Sequence, residues 1–228
     1  MIKNGQMCVS VDYTLVPRAE LESFVDEAKV FMAKSSPDYS RGQDCTGIIS
    51  PRHLDRISAL LDEARSRQSR IVTLEEGDSV DPATRCMPIT LVVDPADDLA
   101  IMQEEIFGPI MPVVPYDDLG AAIARINAGA RPLGLYVFGD DQTQVNRVLN
   151  ETTSGGAAVN TCATQSALPS MGFGGSGMSG MGRHHGIEGF REFSNPRGVF
   201  VRGDGDQIAG FYNHQHGALL VEAALQGQ

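Results

Sequence analysis

Asn4-Gly5-Gln6-Met7-Cys8-Val9-Ser10-Val11-Asp12-Tyr13-Thr14-Leu15-Val16-Pro17 is the stretch on which the reading of this chain turns. Its chemistry centres on Cys8. A thiolate set where a helix end meets a buried strand attacks an electrophilic carbon, provided one group deprotonates it and another stabilises the oxyanion that forms. Gly5 lets the backbone pass close by, and Val9 to Val16, rich in Val, Tyr, Thr and Leu, predicts a strand. A free cysteine by itself is more often an inert buried residue than a nucleophile. The rest of the chain decides between the two.

Further along, Gln103-Glu104-Glu105-Ile106-Phe107-Gly108-Pro109 holds a carboxylate and an aromatic ring two residues apart, just ahead of a Gly-Pro stop. From the residues alone, Glu104 and Glu105 are an acidic pair ending a short helix, with Phe107 as its core anchor. Beyond Asn160 the chain turns glycine-rich, from Pro169 to Gly182. That run has no GxxxxGK[ST] and lies outside any strand-to-helix turn of a βαβ unit, which argues against a phosphate cradle.

Taken in order, these segments resemble the aldehyde dehydrogenase superfamily, in particular its class 3 and coniferyl aldehyde dehydrogenase-like branch. The resemblance rests on GQxC followed by DYxLVP at Gly5 to Pro17, on EEIFGP at Glu104 to Pro109, and on Phe173-Gly174-Gly175, Ser179-Gly180-Met181-Gly182 and His185-Gly186. It spans roughly residues 3 to 201. It implies that Cys8 is the catalytic nucleophile and that its backbone N–H is half of an oxyanion hole. Glu105 would hydrogen-bond the nicotinamide ribose, Phe107 would lie against the nicotinamide ring, and Asn160 and Phe173 would belong to the substrate-side loops. The implied reaction oxidises a small-molecule aldehyde to a carboxylic acid through a cysteine thiohemiacetal, with NAD or NADP as cofactor.

One local departure is that Lys3-Asn4 precede Gly5-Gln6, which displaces by one position the asparagine that the family carries there. The match is to the second half of a family chain. The Rossmann cofactor domain, the side-chain amide of the oxyanion hole and the general-base glutamate lie upstream in the family, so this chain alone is expected to be a poor dehydrogenase or none. The alternative is a truncated, non-catalytic domain that self-associates. The expected organisation is a catalytic domain over residues 1–195, an oligomerisation strand over 196–203 and a tail over 204–228. The expected partner is a second copy or a separate N-terminal cofactor domain, docked on an exposed apolar patch.

Composition narrows the partners. The chain has 228 residues, 42% of them apolar, and a net charge of -11. It has no cluster of Lys and Arg interleaved with aromatics, which argues against nucleic acid and anionic membranes. No apolar run approaches the roughly 18 residues of a membrane span, and the N-terminus has no basic start followed by an apolar stretch, so a cytoplasmic protein is expected. Cys8, Cys45, Cys86 and Cys162 are widely spaced, and neither they nor the five histidines make a metal pattern. Reduced thiols and no metal are expected.

Periodicity supplies the fold class. Arg18 to Ala33 has helical spacing, with Leu21, Phe24, Val25, Ala28, Phe31 and Met32 inward. Ser50-Pro51 opens a second helix whose inward face is Leu54, Ile57, Leu60, Leu61 and Ala64. Short strands are predicted at Ile71 to Leu74, Pro88 to Val93, Leu133 to Phe138 and Ala157 to Asn160. Ile110 to Val114 is predicted as an edge or irregular strand because it carries Pro112. Further helices are expected from Asp117 or Asp118 to Asn127, from Thr143 to Leu149 and from Ala218 to Leu225, and a strand at Gly198 to Val201. Strand alternating with helix means an α/β fold with a largely parallel sheet covered by helices. Ligands gather at the carboxyl ends of such strands, where Asn160 and the Glu105 region are expected to meet.

Overall fold

The computed structural model describes residues 2–43, 45–75, 80–201 and 217–226. The chain divides into two units, Met1–Glu192 and Phe193–Gln228. In the first, β1 is Thr14–Pro17, α1 Leu21–Ser35, α2 Pro51–Ser66, β2 Arg70–Thr73, β3 Thr90–Val93, α3 Ala100–Gln103 and β4 Ile110–Tyr116. Then follow α4 Leu119–Ala128, β5 Gly134–Val137, α5 Gln142–Glu151, β6 Gly156–Val159 and α6 Gly186–Glu192. The second unit contains α7, Gly217–Gln226, at the position where the sequence predicts a short helix.

The strands make two sheets. One runs β1-β4-β3-β2 and the other is the pair β5-β6. β1, β3 and β4 run parallel, as do β5 and β6, while β2 is antiparallel to β3. The expectation of mostly parallel strands covered by helices is met, but across two sheets and with one reversed strand.

Side-chain alternation divides the core of the larger sheet. Leu91, Val93 and Val113 pack with Val16, Val25 and Val72 on the α1 side. Val92 and Ile110 pack with Leu54, Ile57, Leu60, Leu61 and Ala64 of α2, and with Leu99, Ile101 and Ile106. This is the two-residue period of a strand buried on both faces. The second helix forms where its signals place it, because Ser50 caps it by accepting from the His53 N–H at 3.2 Å and Pro51 needs no intrahelical partner. In α1, Val25 and Met32 are buried, but Phe31, expected inward, is 67% exposed.

β4 corrects the sequence reading most clearly. It is central, not an edge, although it carries Pro112 and Pro115. Pro112 lies within the span paired with β3 but ahead of the span paired with β1, and Pro115 lies within the β1 span but past the β3 span. Thr90 and Asp94 of the β3 side donate to the carbonyls of Pro109 and Val113. The backbone groups of one strand residue point the same way, so odd-numbered residues of β4 face β3 and even-numbered ones face β1. Each proline therefore lacks its N–H on the side where β4 has no neighbour.

Residues 196–201 form no strand, and Val199, Phe200 and Val201 are exposed. The expected oligomerisation strand has no pairing partner among the described residues, and backbone without a partner cannot form a ladder. Residues 202–203 of that segment and 204–216 of the expected tail lie outside the described residues.

Candidate functional site

The strand expected from Val9 begins only at Thr14. Ahead of it the backbone makes a 3-10 turn at Ile2–Gly5 and a second turn closed by Ser10 N–H on the Met7 carbonyl at 2.8 Å. Lys3 and Asn4 adopt left-handed φ values of 49° and 56°. Such strain persists only where surrounding structure holds it, and it concentrates at functional segments. Asn4 is fully buried, and neither amide atom has a hydrogen-bond partner among the described residues. Gln6 is gripped from outside the segment: its Oε1 accepts from Ile49 N–H at 2.9 Å and its Nε2 donates to the Gly47 carbonyl at 3.3 Å. On the other side of the cysteine, the Val9 carbonyl accepts from the Tyr136 hydroxyl at 2.7 Å, and that hydroxyl accepts from the buried Gln165 Nε2 at 3.2 Å. Cys8 is thus an exposed thiol on a turn tethered on both flanks.

Asp12 joins this turn to the second motif, its Oδ1 accepting from Ile106 N–H at 2.9 Å. Burial pushes its carboxyl above the ordinary aspartate value; the Ile106 N–H opposes that rise, Glu105 adds to it and Arg56 lowers it. Ionising Asp12 therefore costs the folded state more than the unfolded chain. Its contribution is most favourable below the ordinary aspartate range and is lost as pH climbs through the raised value. Asp12→Asn keeps an acceptor for Ile106 while removing the charge. We expect it to be more stable than the parent at neutral pH, with the gap closing in mild acid. Urea midpoints at the two pH values check this, and a gap independent of pH would count against it.

The second motif leaves α3 at Glu104 and runs extended into Phe107, which has a left-handed φ of 52°. Arg56 holds it in place. One guanidinium nitrogen donates to Glu104 Oε1 at 2.6 Å and to the Glu105 carbonyl at 3.2 Å, and the other donates to the Ile106 carbonyl. Arg56 Nε donates to His53 Nδ1 at 3.3 Å, and His53 Nε2 lies 3.1 Å from the Phe107 carbonyl. The His53 and Phe107 rings meet edge to face at 6.0 Å. Gly108 lies against α2, where a Cβ would sit 2.5 Å from Ile57 Cδ1. A cavity of about 520 Å³, lined by Ile49, Ser50, Arg52, His53, Arg56 and Phe107, opens beside this segment. Glu105 is exposed.

The structure thus links Asp12, four residues past Cys8, to the Glu105–Phe107 segment through the Ile106 N–H. The other two predicted residues have partners of their own. Asn160, with φ of 53°, spends its amide on Gly139, accepting from its N–H at 2.8 Å and donating to its carbonyl at 3.2 Å. These two bonds close the exit from β5 and β6. Phe173 exchanges backbone hydrogen bonds with His184 at 2.7 and 2.9 Å, and its ring packs edge to face on His184 at 5.2 Å. Sequence reasoning missed Arg56, His53, Tyr136 and Gln165. Arg56 and His53 stand three residues apart on the polar side of α2, a spacing that carried the only available signal. Among the described residues no group of three or more His, Cys, Asp or Glu side chains is placed to hold a metal ion, and no helix is long and apolar enough to cross a membrane.

Residues 1–199 match the model of the aldehyde dehydrogenase family. A probable coniferyl aldehyde dehydrogenase of Pseudomonas aeruginosa is 45% identical over 199 residues, covering 87% of this chain and 41% of the relative. One from Caulobacter vibrioides is 41% identical over 198 residues, 86% of this chain and 41% of the relative. The chain therefore spans about two fifths of the length of these curated relatives. Among solved structures, the substrate-bound state of Staphylococcus aureus AldH superposes with a TM-score of 0.81 at 32% identity, covering 97% of this chain and 48% of that one. A Mycobacterium tuberculosis aldehyde dehydrogenase complexed with NAD+ gives 0.72 at 26% identity, covering 87% of this chain and 42% of that one.

Proposed function

Because this chain belongs to the aldehyde dehydrogenase family, we propose that it builds the nucleophile side of a site that oxidises an aldehyde to a carboxylic acid with NAD or NADP. The observation that supports this reading is the hydrogen bond from Ile106 N–H to Asp12, which joins the stretch four residues past the exposed Cys8 to the segment carrying Glu105 and Phe107. Cys8 attacks the aldehyde carbon to form a thiohemiacetal, and its own backbone N–H donates to the developing oxyanion. The second oxyanion donor and the general base belong, by the family resemblance, to sequence outside the matched region, and full turnover draws on both.

What supports a nicotinamide ribose here is that the exposed Glu105 stands two residues ahead of Phe107, which lines a cavity. The cavity beside Phe107 has an apolar wall of Ile49 and Phe107 and a polar one of Arg52 and His53, and its volume of about 520 Å³ falls within the usual range of ligand pockets. Glu105 offers carboxylate oxygens to ribose hydroxyls, and Phe107 offers a ring face whose position Arg56 and His53 maintain. A bound nicotinamide dinucleotide supplies two-electron acceptance. Asn160 and Phe173 belong to the substrate side. The coniferyl aldehyde dehydrogenases among the relatives favour an aromatic aldehyde, with medium-chain aliphatic aldehydes next.

Acyl transfer to a thiol needs no nicotinamide, so 4-nitrophenyl acetate tests the nucleophile directly. We expect one acetyl group on Cys8 by peptide mapping, with matching release of nitrophenolate, and loss of both in Cys8→Ala. Acetylation that persists in that variant, or that maps first to Cys162, overturns the assignment.

A further inference from the structure

Two thiols that the proposed reaction does not use lie together in the structure. Cys45 comes from the connection between α1 and α2, and Cys86 from an isolated bridge with Asp81 ahead of β3. They are 41 residues apart in sequence, yet Cys86 Sγ approaches the Cys45 carbonyl at 3.9 Å, and Cys86 is close enough to perturb the Cys45 thiol. Cys86 is buried and Cys45 half-buried, in contrast to the exposed Cys8 and Cys162. The flanking backbone holds the pair in place. Ile48 N–H donates to the Arg85 carbonyl at 2.8 Å, Arg85 Nε returns a bond to the Ile48 carbonyl at 2.7 Å, and Asp81 N–H donates to the Cys86 carbonyl at 2.9 Å. Gly47 presses so close to Thr84 that a Cβ would lie 2.0 Å from its carbonyl oxygen. Segments locked on both sides keep the sulfurs within reach without any large backbone movement.

We propose that Cys45 and Cys86 form a reversible disulfide, a two-electron oxidation site distinct from the nucleophile. With a hydroperoxide as oxidant, the Cys45 thiolate attacks the peroxide oxygen, giving a sulfenic acid and releasing the alcohol or water. The Cys86 thiol then displaces the sulfenic hydroxyl as water, closing the S–S bond. Both sulfurs are oxidised by one electron each, the peroxide is reduced by two, and both thiol protons end in the products.

The surroundings decide the rate. Burial, then the hydrogen bond to Cys86 and the nearby Cys86 and Glu75 charges, push the Cys45 thiol up to about 12. Tyr39, which faces the pair, is likewise raised to about 12, chiefly by burial. Oxidation is therefore slow at neutral pH and accelerates by about tenfold per pH unit as the thiolate fraction grows. The site also sits under the turn that presents Cys8. Gly47 and Ile49, just past Cys45, are the partners of Gln6, and Tyr39 hydrogen-bonds the Asn4 backbone.

The test uses the whole chain and does not depend on the aldehyde chemistry. Brief iodoacetamide treatment blocks the exposed Cys8 and Cys162, tert-butyl hydroperoxide follows, and non-reducing peptide mapping reads the product. We expect a dithiothreitol-sensitive cross-link between the peptides carrying Cys45 and Cys86, forming faster as pH rises and absent in Cys45→Ser. Blocking of Cys45 and Cys86 at the same rate as Cys8, or oxidation to sulfinic acids without a cross-link, overturns the proposal. Because the parent chain alone gives the decisive map, poor folding of the variant leaves the result intact.

Discussion

Ile57→Ala is expected to lower the unfolding free energy by about 2–5 kcal/mol, the range for removing a fully buried branched side chain that leaves a cavity. Ile57 is 0% exposed and packs in the cluster that joins α2 to Ile106 and Ile110. Its Cδ1 also occupies the space over Gly108, directly after Phe107. Relaxation into the hole is opposed by the sheet on one side and the helix on the other, so a value in the upper half of the range is expected. Urea unfolding with an unchanged slope checks it, and a loss below about 1 kcal/mol would show that the neighbouring residues collapse to fill the space. The same geometry makes a coupled case: Gly108→Ala collides with Ile57 in the parent but finds room in Ile57→Ala. The double variant should therefore be less destabilised than the sum of the two single ones.

Replacing Arg56 by Ala is expected to cost about 1.5–3 kcal/mol, the value of a hydrogen bond to a charged group whose buried partner is left unmet. The exposed ion pair with Glu104 contributes little to that total, since such pairs are worth about 0–1 kcal/mol. The larger consequence is local. Without the guanidinium, the Ile106 carbonyl and His53 Nδ1 each lose a donor, and the left-handed Phe107 is left with His53, the Asp12–Ile106 bond and the packing of Gly108 on Ile57 to hold it. Hydrogen exchange across residues 104–110 should quicken in Arg56→Ala while β3 stays protected. Arg56→Lys should recover only part of the protection, because an ammonium cannot reproduce the planar fork that reaches neighbouring carbonyls. Unchanged protection in this segment would show that Arg56 is dispensable to its position.

How much of this was legible in the sequence depended on how local the cause was. α2 was readable because its cap, its first-turn proline and its inward side chains lie within one continuous stretch. The turn around Cys8 was not. Its β-branched residues favour a strand, and the contacts that override them come from Tyr136, 127 residues away, and from Gly47 and Ile49. The rule that placed β4 at an edge is sound for a proline flanked by strands on both sides, but strand stagger is a tertiary property that composition does not carry. Gly198 to Val201 has the residues of a strand but pairs with no strand among the described residues of this single chain. The family motifs point to Cys8, Glu105 and Phe107 as the proposed site residues, whereas Arg56 and His53, which hold the Glu104–Phe107 segment, look like ordinary solvent-facing positions of a helix.

The two prolines of β4 have a consequence for how the sheet assembles. Sliding β4 by two residues along β1 in one direction would set Pro112 opposite a carbonyl that needs a donor, and sliding it along β3 in the other sense would do the same with Pro115. A slip of two residues keeps every side chain on its own face, so the alternation of faces does not oppose it. Each imino acid therefore acts as a stop against slippage one way, and the observed alignment is the one in which neither stop is violated.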